Sequence, residues 1–397
     1  MSLHAVSSEE VARRAGVSTS TLRRWVAAGL VPQAPAAGAG WTPLAAAHVR
    51  LIARLRERGH SIEDIGEGLR DGRLAFGYVE DLLPPLDVTH TLREASKLTG
   101  LEPALIERIY ATLGFTAGSA EQIGEEDLEM LQHMAAVLRS GYPFAAFLQL
   151  TRVYGQALQQ IADAEVRLFH LYVHEPLMRE GIDGFEVAEE VDDLVAQLLP
   201  LAPPVMDLVH RRFLRHFVEQ DVISHMEADA SAMSELGHLR VAIAFADLAG
   251  YTQLTEQRGD EEAATVVERF VANVTHTLPD EARIVKTVGD EVMVVSTDPG
   301  ALVDWALGFQ TMIPDRPQPR IGIHAGDVVY RDGDYFGGEV NRASRVAARA
   351  AAGEVLVTLP IVEAAERHID FDRIGEVRLK GFTEATELFL ARLADEA

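Results

Sequence analysis

The 397-residue sequence carries 36 basic against 61 acidic side chains, a formal charge of -25, and is 48% hydrophobic. This acidic surplus excludes broad electrostatic attachment to nucleic acid or an anionic membrane, so an anionic ligand must be drawn by local donors or a metal. The absence of cysteine excludes disulfides, a thiolate nucleophile and cysteine-based zinc sites.

The length suits two or three domains, expected at residues 1–80, 88–226 and 238–397. The start, MSLHAVSSEE, lacks the basic and apolar regions of a signal peptide, and no uncharged apolar run reaches the roughly 18 residues of a membrane span. The expectation is a cytoplasmic chain with no membrane partner.

Residues 6–75 read as helical. Val11, Ala12, Ala15, Val17, Leu22, Trp25, Leu30 and Val31 trace two short amphipathic helices around a turn at Gly16, with Ser18 as N-cap of the second. The stretch VARRAGVSTSTLRRWVAAGLVP resembles the helix-turn-helix of MerR-type regulators, and ERGHSIEDI resembles their third and fourth helices. Arg13, Arg14, Arg23 and Arg24 make DNA a candidate partner of residues 10–32. The wing, QAPAAGAGW, carries no charge and so withholds the phosphate contacts that supply most affinity. A fold kept for packing and dimer contacts is the competing reading.

After a linker at 81–87 the pattern repeats. LREASKLTGLEPALIERIYATLGF places Gly100 where the first unit has Gly16 and closes with Gly114-Phe115, and LQHMAAVLRSGYPFAAFLQL aligns Gly141 with Gly59. This reads as duplication of a helical module. Residues 145–230 continue as a long helical tract holding His170, His174, His210, His216 and His225. His210 and His216 flank Phe213 and Phe217, so the pattern predicts that one or both imidazoles are half-buried, unpack on protonation and make this half a pH gate.

From Leu239 strands and helices alternate. LRVAIAFA is a strand ending at Asp247, followed by a helix over 260–278 and the hairpin ARIVKTVGDEVMVVS. A helix over 301–312, the strand PRIGIHAGDVVY, a helix over 341–350 and the strands EVLVT, FDRIGEVRLK and ELFLAR complete an α/β sandwich expected to have its helices on one side of the sheet. Only three lysines occur, Lys97, Lys286 and Lys380. Lys286 stands at the hairpin mouth four residues before Asp290, where a compact ammonium differs from a guanidinium in what it can bind. Asp247 precedes the small-residue turn Ala249-Gly250-Tyr251-Thr252 at a helix start, a setting suited to a metal-bound polyphosphate. Two carboxylates, Asp247 and Asp290, favour Mg²⁺ or Mn²⁺. Asn341 and Arg345 share a helix face.

FADLAGYT, KTVGDEVM, RIGIHAGDV, GDYFGGEVNRASR and RLKG together resemble the catalytic domain of class III nucleotidyl cyclases, in order over 239–392. The resemblance implies a ferredoxin-like α/β catalytic domain behind an all-α regulatory half, which itself is similar to that of the acid-sensing class IIIc enzymes. It implies adenylyl cyclase activity on ATP, with two metal ions on Asp247, Asp290 and the adjoining Leu248. Lys286 and Asp334 would read the adenine, Asn341 and Arg345 would hold ribose and transition state, and Lys380 and Gly250–Thr252 would take the triphosphate. It further implies a homodimer whose two sites are shared between chains. The competing functions are a DNA-binding regulator that only senses nucleotide and a guanylyl cyclase, which would need another residue at Lys286 or Asp334.

Overall fold

The fold is described from a computed structural model, for residues 7–31, 41–75, 77, 88–116, 118–121, 123–181, 183–227, 238–313, 317–365 and 368–394. The uncharged wing over 33–40 and the linkers expected at 81–87 and 228–237 lie outside the described residues. The chain divides into two compact units, 1–214 and 215–397.

The first unit opens with α1 (Ser8–Arg14), α2 (Thr19–Ala27), α3 (Pro43–Glu57) and α4 (Ile62–Arg70). Each begins at a hydroxyl N-cap: Ser7, Ser18, Thr42 and Ser61 accept from the backbone N–H three residues on. That satisfies a donor the first helical turn leaves without a partner. A strand β1 (Val88–His90), α5 (Leu92–Thr99), α6 (Pro103–Leu113), β2 (Ile123–Gly124), α7 (Glu125–Arg139) and α8 (Phe144–Phe169) follow. The glycines aligned between the two modules adopt matching left-handed conformations, with φ of 66° and 75° at Gly16 and Gly100 and of 93° and 89° at Gly59 and Gly141. The two modules thus share these turn conformations.

A π-helical turn at His170–His174 leads to α9 (Glu175–Arg179), α10 (Gly184–Leu198) and α11 (Ala202–Glu227). Val187, Ala188, Val191 and Val195 of α10 join Leu22, Trp25, Ile52 and Ile65 in one core, so α10 completes the first helical module. Among the described residues no helix is long and apolar enough to cross a membrane.

In the second unit β3 (His238–Leu248) is followed by α12 (Tyr251–Arg258), α13 (Asp260–Thr277), β4 (Ala282–Val288), β5 (Glu291–Ser296), α14 (Pro299–Met312), β6 (Pro319–Arg331) and β7 (Asp334–Phe336). Then come α15 (Gly338–Ala347), β8 (Val355–Thr358), α16 (Leu359–Ala364), β9 (Ile369–Arg378) and β10 (Ala385–Leu393). The sheet runs β4-β5-β3-β6-β8-β10-β9 with β7 added to β6, and β6 and β8 are its parallel pair. Helices cover both faces, not one. Ala242, Ala244 and Ala246 pack with α13, α14 and α16, while Val241, Ile243 and Phe245 pack with Val340, Ala343 and Ala347 of α15. A strand buried on both faces reads as a continuous apolar run, so LRVAIAFA could not show that a second layer exists.

Two glycines test the packing from opposite directions. A Cβ at Gly184 would overlap the Leu69 carbonyl oxygen, whereas one at Gly308, inside α14, meets nothing within 4 Å. We expect Gly184→Ala to destabilise the first unit by roughly 1–3 kcal/mol and Gly308→Ala to stabilise the second by about 0.5–1 kcal/mol, both read from denaturant unfolding of the full chain.

Candidate active site

The site is built from the end of β3 outward. The antiparallel register sets Asp247 opposite Glu291 of β5 on one side and opposite Arg320 of β6 on the other. Directly opposed residues share a face, so the three form one charged row across the sheet. Arg320 Nε donates to Asp247 Oδ2 at 2.8 Å, and its Nη2 donates to the same oxygen. Asp290 sits in the turn between β4 and β5, next to Gly289 with φ 62°. Burial, followed by the hydrogen bond to and charge of Asp247, pushes the Asp290 carboxyl up to about 6. Burial and then Asp247 also raise Glu291, against the pull of Arg320, Arg345 and Lys286. Asp247, Asp290, Glu291, Lys286 and Arg345 thus fall within one electrostatic neighbourhood.

Two carboxylates forced to share charge at close range are what a divalent cation relieves, so the pair fits Mg²⁺ or Mn²⁺. Among the described residues no cluster of three or more His, Cys, Asp or Glu could hold a metal. A metal held by this pair would complete its shell from water, phosphate oxygens and backbone carbonyl. The Leu248 side chain is buried in the core, which leaves only its carbonyl for that role.

Lys286 Nζ donates to Asp334 Oδ2, joining β4 to the start of β7. The other oxygen, Asp334 Oδ1, accepts from the Tyr335 N–H at 2.8 Å, and the buried Tyr335 hydroxyl accepts from the Arg283 guanidinium. The two side chains are thus in contact, and the acid is oriented by its neighbour. Asn341 and Arg345 lie on the exposed face of α15, opposite the buried Val340, Ala343 and Ala347. Gly250, with φ 85°, is the N-cap of α12, Tyr251 packs on the core, and Thr252 is exposed.

Lys380 is not brought to this row. It is exposed in the turn after β9, at the sheet edge opposite β4. The pairings Thr358–Leu388 and Ile323–Val357 put that turn at the strand ends away from Asp247 and Arg320. Sequence reasoning missed Arg320, Glu291 and Tyr335. The signal for Arg320 was its place at the start of the apolar strand RIGIHAG, where a cation needs a reason.

Residues 234–392 match the adenylate and guanylate cyclase catalytic domain, 43–218 the adenylate cyclase regulatory domain, and 6–71 the MerR helix-turn-helix family. The pH-sensitive adenylate cyclase of Mycobacterium tuberculosis is 30% identical over 318 residues, covering 76% of this chain and 77% of that one. An adenylate cyclase of Streptomyces coelicolor is 31% identical over 291 residues, covering 72% and 74%. The solved adenylyl cyclase CyaB of P. aeruginosa is 22% identical over 40% of this chain and 96% of its own, with a TM-score of 0.37. The chain belongs to the class III nucleotidyl cyclase family. Its catalytic domain follows a regulatory region of the adenylate cyclase type that begins with a MerR-like module.

Because the Arg320 charge opposes the upward shift of Asp290, Arg320→Gln should move the Asp290 titration further above about 6. Carboxyl-carbon NMR of the metal-free protein measures it. A downward move would contradict the arrangement.

Proposed function

We propose that this chain is an adenylyl cyclase that converts ATP to 3′,5′-cyclic AMP and pyrophosphate at sites shared by two copies. The Lys286–Asp334 pair carries the reading; in a shared site it would face the Asp247–Asp290 carboxylates of the other copy. A lysine donor for a ring nitrogen and a carboxylate acceptor for an amino group complement adenine, while guanine presents the reverse. Asn341 orients the ribose so that its 3′-oxygen meets the α-phosphorus as the bond to the β-phosphate oxygen breaks. Arg345 supplies fixed positive charge to the α-phosphoryl oxygens, where the reaction builds up negative charge. Turn N–H groups at Gly250, Tyr251 and Thr252 face the phosphates at the start of α12. Two Mg²⁺ or Mn²⁺ ions held by Asp247, Asp290 and the Leu248 carbonyl would acidify the 3′-hydroxyl and neutralise the departing pyrophosphate. Lys380, remote from the row in its own chain, supports a site completed by a second copy.

Asp290→Ala should abolish cyclic AMP formation while the oligomeric state is kept. Mixing Asp247→Ala with Arg345→Ala protein should restore activity, since the mixed dimer rebuilds one intact site. Heterodimers without recovery would exclude shared sites. For DNA, Arg13 and Arg14 both donate to Glu10, which leaves the first helix poor in phosphate donors and supports the enzyme over the regulator.

The helical half would respond to acid, as the name of the mycobacterial relative suggests, but through other histidines than the sequence singled out. His210 is exposed and His216 lies half-buried against Phe217, while the His225 side chain lies outside the described residues. His174 is 1% exposed. Its Nε2 donates to the Gly72 carbonyl at 2.7 Å, which leaves Nδ1 to accept from His170 Nδ1 at 3.0 Å. Burial holds its pKa below the ordinary 6.5. A depressed histidine favours the packed state at high pH, and that contribution is lost as pH falls below about 6.5. A proton added to His174 Nδ1 would set two N–H groups against each other, because that nitrogen accepts from His170 Nδ1. We expect His174→Gln to flatten the acid activation of the full-length enzyme and His210→Ala or His216→Ala to leave it. An unchanged acid response in His174→Gln would reject this sensor.

A further inference from the structure

The strand motif Gly322-Ile323-His324-Ala325-Gly326 has no part in the reaction described above, yet it meets α15 along the helix's length. Even-numbered residues of β6 face α15. A Cβ at Gly322 would overlap the backbone of Ala347 in the last turn, and one at Gly326 would stand 2.7 Å from Glu339 Cγ in the first. From Glu339 to Ala347 is eight helical residues, about 12 Å of rise. From Gly322 to Gly326 is four strand residues, about 13 Å. The two lengths agree, so the helix lies along the strand in the opposite direction, close-packed at both ends.

His324 stands between the notches and is 4% exposed. Its Nδ1 meets Thr358 Oγ1 of β8 at 2.6 Å and its Nε2 meets Glu339 Oε2, so both ring nitrogens are used. Burial lowers its pKa against the pull of Glu339, and a neutral ring with Nε2–H donating to the carboxylate fits this pattern. The same Glu339 oxygen accepts from Arg342 Nε at 3.2 Å. Arg342 in turn donates to Thr386 Oγ1 at 2.8 Å, and its guanidinium lies 4.7 Å from the Phe382 ring centroid. Two strands, β6 and β10, therefore hold the sheet side of α15 through two of its residues, and β8 braces His324.

We propose that Gly322, His324 and Gly326 form a seat for α15, in which the His324–Glu339 bond acts as a positioning device for Asn341 and Arg345. His324 touches no reacting atom; it acts through the helix. The purine-reading pair is held less directly: Lys286 belongs to β4, and Asp334 to β7, which leads into α15 but is hydrogen-bonded to β6 on its own account. A loosened seat should therefore damage turnover more than substrate binding.

This inference rests on the cyclase reading, and the test separates the two. Wild-type full-length enzyme failing to make cyclic AMP from ATP would overturn the cyclase reading. The seat is judged by variants against wild type and by a readout that needs no activity. His324→Ala and Gly326→Ala should lower kcat roughly tenfold to a hundredfold, as misplacement by about 1 Å does. KM for ATP and the stoichiometry of a non-cyclisable ATP analogue should be kept. Amide exchange over 340–347 should quicken while that of α13 does not. In an Asn341→Ala background the His324→Ala loss should shrink, because both act on the same interaction. An unchanged kcat, a full additive loss in that background, or unchanged exchange over 340–347 would overturn the seat.

Discussion

The catalytic unit depends on one abrupt transition, from a strand buried on both faces to a carboxylate at its end. Ala242, Ile243, Ala244 and Ala246 are fully buried, and Asp247 follows directly. Its side chain is 13% exposed and paired with Arg320. Removing one member of such a pair leaves a buried charge uncompensated, which costs more than the pair itself contributes. Arg320 thus compensates the Asp247 charge where β3 stops. Asp290, Glu291 and the turn into α12 are arranged around that single ion pair.

The sequence revealed the chemistry more readily than the architecture. Lys286 stood out as one of three lysines in an arginine-rich chain, and its bond to Asp334 spans 48 residues. Helix starts were legible where hydroxyl caps are local, as at Ser18. The second helical layer was not, since an all-apolar strand has no period to reveal its faces. Arg320 and His324 were missed because their partners are set by strand register and by a helix packed from elsewhere in the chain. The histidine error has the same origin. Phe213 and Phe217 suggested a buried face on α11, but both are exposed. The buried imidazole instead meets a carbonyl 102 residues away, at Gly72.

The two helical modules show how a duplicated backbone can diverge in purpose. Their positive-φ glycines coincide, whereas their cores do not have the same composition. The first recruits α10 and places His48 beside Phe185, with ring centroids 5.3 Å apart. The second closes on itself with Ile106, Ile109, Leu131 and Phe147. Its α5 begins with a capping box between Thr91 and Glu94. Backbone turns have been retained while the surfaces they present have been reassigned.

The two notches beneath α15 also fix how this part of the molecule can move. A helix whose Ala347 backbone and Glu339 side chain fill the gaps at Gly322 and Gly326 cannot slide by a residue without lifting off the strand. Nor can it roll, since Glu339 and Arg342 tie it to β6 and β10. Strand and helix therefore behave as one rigid body. Any regulatory signal that changes where Arg345 stands must carry the sheet with it, so control has to act on whole units, not on the catalytic helix alone.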